Sequence, residues 1–74
     1  MTHKGTIVPF DLSPVAEVWL AGQPIQVVRV RSHIVDSEDF GRWLVTPDNP
    51  DKKRESRWVN EADGYTVLYL PMDA

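Results

Sequence analysis

Residues 15–35, VAEVWLAGQPIQVVRVRSHIV, read as two strands folded back on each other at residues 21–24. Side chains alternate between the faces of a strand, so the loop length decides which residues meet. With an even loop, either Ala21-Gly22 or all of residues 21–24, Ala16, Val18 and Leu20 look the same way as Ile25 and Val27. The opposite face then carries Val15, Glu17 and Trp19 with Gln26, Val28, Val30, Ser32 and Ile34. Along the second strand the apolar side changes over: the odd positions run Ile25, Val27, Arg29, Arg31, His33, and the even ones become apolar at Val28, Val30 and Ile34. A flat sheet with one wet face gives no reason for such a switch. A strand that bends through a bulge, or coils around a small barrel, does.

The rest of the chain fits around that pair. Six prolines, at 9, 14, 24, 47, 50 and 71, mark strand ends, because proline cannot donate to a central ladder. Residues 5–10 (GTIVPF) read as a short first strand or edge segment, and DLSP at 11–14 turns into the hairpin. Asp36, Ser37, Glu38 and Asp39 are residues that cap a helix, but Gly41 follows too soon for more than a single turn. Residues 42–46 (RWLVT) alternate as a strand. Residues 46–56 are polar and charge-dense, with two prolines, and read as an exposed loop. The chain closes with a strand at 57–60, a turn at Ala62-Asp63-Gly64 and a strand at 65–70. A two-residue Asp63-Gly64 hairpin would set Trp58 opposite Tyr69 and Val59 opposite Leu68. The competing reading is a short helix over 56–63 with Gly64 as its C-terminal cap.

These elements predict a mainly β, single-domain protein over residues 1–74: a small antiparallel barrel or strongly twisted sheet of about five short strands, SH3-like or OB-like, with at most one helical turn. A chain of 74 residues buries only about 60% of its unfolded surface, so a partner or self-association could matter to its stability. It contains no cysteine, which removes disulfides and thiolate metal sites. The start of the chain lacks the apolar core of a signal peptide and no run is long enough to span a bilayer, so a cytoplasmic location without membrane contact is expected. The net charge of −3 weighs mildly against a dedicated nucleic-acid binder.

Candidate binding residues are basic and aromatic. Arg29, Arg31 and His33 alternate, so on a regular strand they leave one face about 6 to 7 Å apart and could grip an acidic partner. The alternative is a solvated face paired with carboxylates such as Asp11 or Glu17. Lys52, Lys53 and Arg54 form a second cluster, largely neutralised by Asp48, Asp51 and Glu55 beside it. With Arg42, Arg57 and the three tryptophans these could make a phosphate-binding and stacking surface, although Trp19, Trp43 and Trp58 are also the side chains a small core needs. Asp36, Glu38 and Asp39 lack calcium-loop spacing, and His3 and His33 make no zinc-binding pair, so no metal or other cofactor is expected. No nucleophile and base stand in a familiar arrangement, the glycines stand singly, and a domain this small has little room for a substrate pocket.

Two functions follow as expectations. The first is a noncatalytic protein-interaction module, a small regulator or inhibitor that docks on a larger assembly through Arg29, Arg31, His33, Arg42, Trp43, Lys52, Lys53 and Arg54, with no small-molecule substrate. Compact regulators of this size, including those of phages and mobile elements, often act on transcription or nucleic-acid-processing enzymes; that is an analogy of size, not of motif. The second is direct nucleic-acid binding through a basic and aromatic barrel face. An enzyme assembled from several copies ranks below both.

Overall fold

The computed structural model describes residues 7–36 and 39–71. Five strands form one antiparallel sheet: β1 (Val15–Leu20), β2 (Gln23–Val35), β3 (Gly41–Pro47), β4 (Arg57–Asn60) and β5 (Tyr65–Tyr69). Their order is β4-β3-β2-β1-β5, so the first four make a meander and the last returns to pair with β1. That order follows the SH3-like alternative, and among the described residues no strands pair as in an OB-like Greek key. Helical structure among the described residues is limited to single 3-10 turns at Phe10–Leu12, Pro50–Lys52 and Glu61–Asp63.

The organising hairpin forms with a two-residue loop. Ala21 and Gly22 both take positive φ, 54° and 79°, and Leu20 pairs with Gln23. Two left-handed residues in succession give the turn twist that matches the twist of the strands. Pro24 then faces Trp19 without an N–H to donate, and the register shifts so that Val18 faces Gln26 and Ala16 faces Val28. Ile25 is the extra residue of this bulge. The expected partnership of Ala16 and Val18 with Ile25 and Val27 is therefore reversed: Val28 and Val30 are buried, while Ile25 and Val27 are exposed.

A second bulge falls at Arg31, since Val30 faces Val45 but Ser32 faces Leu44. Between them the two bulges let a 13-residue strand serve both halves of the sheet, bending where it passes from β1 to β3. The core collects on the concave side: Ala16, Val18, Val28, Val30, Trp43, Val45, Val59 and Val67, with Tyr65 packed against it. Burying each valine stabilises the fold by roughly 1.5 to 3 kcal/mol, and β-branched side chains suit the pleated surface.

Two local expectations are corrected. The 5–10 segment does not form a strand in its described part. Residues 7–14 instead loop over β2, held by Val8 N–H to the Arg31 carbonyl (2.8 Å) and by Val30 N–H to the Pro14 carbonyl (2.9 Å). Gly5 and Thr6 lie outside the described residues. Nor do β4 and β5 form a hairpin, because β4 pairs with β3 and β5 with β1. The connection is the capped turn, in 3-10 form, with Gly64 at φ 96° donating to the Glu61 carbonyl. A hairpin would need Asp63 left-handed as well, and it is not. Separate pairing lets Val59 and Val67 enter the core from opposite edges of the sheet. The turn after β2 is tight, with Asp39 N–H to the Asp36 carbonyl and Phe40 N–H to the Asp36 carboxylate. Ser37 and Glu38, read as capping residues, lie outside the described residues.

Candidate functional site

The Arg29, Arg31 and His33 row is broken by the bulge that it contains. Arg29 shares a face with Thr46 and Leu44 on the convex side, Arg31 is the unpaired residue, and His33 faces Trp43 on the core side. Each is also committed within the chain. Arg29 binds Asp48 at 2.9 Å, donates to the Ser13 carbonyl at 3.2 Å and lies over the Phe10 ring at 4.9 Å. Arg31 Nε donates to the Val8 carbonyl at 2.6 Å. His33 stacks on Trp43. The expected common row is thus corrected: two of the three basic residues, Arg29 and Arg31, anchor the N-terminal loop.

The loop cluster is dispersed in the same way. Lys53 reaches Asp11 at 3.7 Å and the Phe10 ring at 5.5 Å, fastening the 48–56 loop to the N-terminal loop. Both ends of that ion pair are well exposed, so it contributes little. Thr46 and Ser56 share a hydrogen bond of 2.8 Å beneath it. Lys52 and Arg54 are exposed. Trp43, expected at a binding surface, is 8% exposed and belongs to the core. Arg42 stays outside, over the ring of Trp58 at 5.3 Å and bonded to Asn60 at 3.0 Å, and Trp58 is 40% exposed.

What the basic-residue reading missed is the convex face of β5, β1 and β2. In one cross-strand row Leu68, Glu17 and Val27 lie side by side. Leu68 and Val27 are each 46% exposed. The rows flanking this one hold Thr66 facing Trp19 on one side and Val15 facing Arg29 on the other. The Trp19 indole N–H donates to the Glu17 carboxylate at 3.4 Å, a long bond. Ile25 and Leu70 extend the apolar surface at either end, both exposed. Beside Trp19 lies a shallow depression of about 150 Å³, walled by Trp19, Thr66, Leu68 and the turn residues Ala21, Gly22 and Gly64. The left-handed turns put glycine there, which keeps it open. The clue to this face was Gln26: read as an inward residue it moves Ile25 and Val27 outward.

Two further depressions, of about 260 and 240 Å³, are open and lined by Asp36, Arg42 and Asn60 in one and Gln26, Glu55 and Arg57 in the other. Among the described residues no three His, Asp or Glu side chains converge as metal ligands, and no helix is long and apolar enough to cross a membrane. No protein-family model matches this chain, and no curated protein or solved structure matches it either. The site is therefore read from its own geometry.

Proposed function

We propose that this chain is a noncatalytic protein-interaction module, a small cytoplasmic regulator that docks on a larger protein through the convex face of β5, β1 and β2. The observation that carries this reading is the row Leu68, Glu17, Val27, in which two large apolar side chains stand half exposed beside Ile25, Trp19 and Leu70. A contiguous apolar patch rimmed by polar groups is the mark of an interaction surface, and tryptophan is enriched where binding energy concentrates. A photo-crosslinking side chain at position 68, used in cells, is expected to give discrete protein adducts that one at position 54 does not. The same adducts from both positions would remove the proposal.

Nucleic-acid binding is the second reading, supported by Arg42 lying over the exposed ring of Trp58. It is weakened because Arg29 and Arg31 hold the chain's own N-terminal loop. Gel shifts at about 50 mM salt and about 10 µM protein, within the usual range of nonspecific affinity, decide it: retarded single strands that Arg42→Glu releases would favour it over docking.

A further inference from the structure

The charge on the docking face is what selects its occupant. Glu17 is central, with Leu68 and Val27 as immediate cross-strand neighbours and Trp19 two residues along the same strand face. Among the described residues the nearest cation in register is Arg29, opposite Val15, and its guanidinium is occupied by Asp48 and the Ser13 carbonyl. The Glu17 carboxylate therefore has, among the described residues, one long hydrogen bond, from Trp19, and its remaining acceptor sites face solvent water.

Docking would take that water away. A carboxylate stripped of water without a replacement partner is strongly unfavourable, and one hydrogen bond at 3.4 Å does not make up the difference. A purely apolar occupant is thus disfavoured. So is a second copy of this chain seated two-fold on the same face, since its centre would set Glu17 against Glu17. What satisfies both the patch and its centre is a partner that brings a cation between apolar side chains.

Resting on the docking reading, we infer that this face recognises a protein segment carrying an arginine or lysine flanked by apolar residues. The cation pairs with Glu17, and one apolar side chain enters the depression of about 150 Å³ beside Trp19. Arginine fits best: its planar fork can take both carboxylate oxygens while its face lies against the Trp19 ring.

The test uses the full chain, immobilised, against a library of random dodecapeptides. Selections are run on the unaltered protein, on Glu17→Gln and on Leu68→Asp, with urea melts to confirm that each variant is folded. Peptides selected on the unaltered chain are expected to be enriched in arginine or lysine next to leucine, isoleucine, valine or an aromatic residue. Their affinity should fall at least about tenfold for Glu17→Gln, the scale of one charge-assisted hydrogen bond. It should vanish for Leu68→Asp. Peptides that need Leu68 but bind Glu17→Gln equally well would overturn the charge assignment and leave the docking face standing. Peptides indifferent to both substitutions, or no selection at all, would overturn both. Sedimentation at about 200 µM, in the range of weak self-association, covers the remaining occupant: a dimer of the unaltered chain that Leu68→Asp splits would mean that a second copy fills the face, and the inference would be wrong.

Discussion

His33 and Trp43 stack face to face across β2 and β3, with ring centroids 4.9 Å apart and planes 8° from parallel. The contact exists because Arg31 is bulged out; in a regular strand His33 would have followed Arg29 to the convex face. One side of the imidazole shields the indole from water at the end of the core. His33→Ala should lower stability by roughly 0.5 to 1.5 kcal/mol, the worth of an aromatic pair, and His33→Phe should keep most of it. Urea midpoints followed by circular dichroism distinguish the two; equal midpoints for alanine and the native residue would mean that the stack adds nothing.

Gly41 opens β3 against the same indole. A Cβ built there would lie 2.7 Å from one carbon of the Trp43 ring and 3.0 Å from another, and neither belongs to a flexible chain end. Its N–H also donates to Glu61 at 2.7 Å, tying the start of β3 to the 3-10 turn that leads into β5. Gly41→Ala is expected to cost about 1 to 3 kcal/mol through overpacking. Gly22→Ala meets no atom within 4 Å but keeps φ 79°. Its penalty is backbone strain alone, about 1 to 2 kcal/mol. The two losses differ in cure: Trp43→Leu in the Gly41→Ala background should recover part of the first and none of the second.

How far the sequence could be read depended on where alternation holds. β1 and the first five residues of β3 alternate with a period of two, and the expectation of a small coiled sheet rested on such alternation. Bulges break the period without changing composition. Pro24, unable to donate opposite Trp19, was a sign of the first, and the polar run Arg31-Ser32-His33 was a sign of the second. Missing their positions moved Ile25 and Val27 into the expected core and lined up three basic residues that in fact part. The pairing of β5 with β1 is long-range and leaves no local trace, which is why Asp63-Gly64 looked like a hairpin. The docking face depends on all of these, so it could be seen only once register was known.

Arg29 illustrates the other limit: a charged residue in a strand can be structural. Its side chain is about one quarter exposed, at 26%, and joins β2 to Asp48 and to the N-terminal loop. Arg29→Ala should destabilise by about 1.5 to 3 kcal/mol, as expected for hydrogen bonds to a charged group. Exchange of the pair, Arg29→Asp with Asp48→Arg, should restore only part, since the Ser13 and Phe10 contacts are lost. Peptide binding at Leu68 should survive in any variant that remains folded. A variant as stable as the native chain but unable to bind would return Arg29 to the list of recognition residues.

Tyr69 supplies a pH dependence on the opposite edge of the sheet. Tyr69 is 49% exposed, and the partial burial of its phenol raises it above the ordinary value of 10.0, while the Trp43 indole N–H pulls the other way. That pull is loose, since the indole N–H is buried without a hydrogen bond of proper geometry. A raised pKa in the folded chain means that the neutral phenol is the form the fold accommodates. Its contribution is therefore intact below the unfolded value of 10.0 and is lost as pH rises through the higher folded value. Urea midpoints measured from neutral pH into this alkaline range should fall more steeply for the native chain than for Tyr69→Phe. Because other groups titrate there too, the difference between the two curves is the quantity that matters. Parallel curves would mean that Tyr69 ionises without resistance from the fold, and that the contact between β5 and Trp43 does not help to close the sheet.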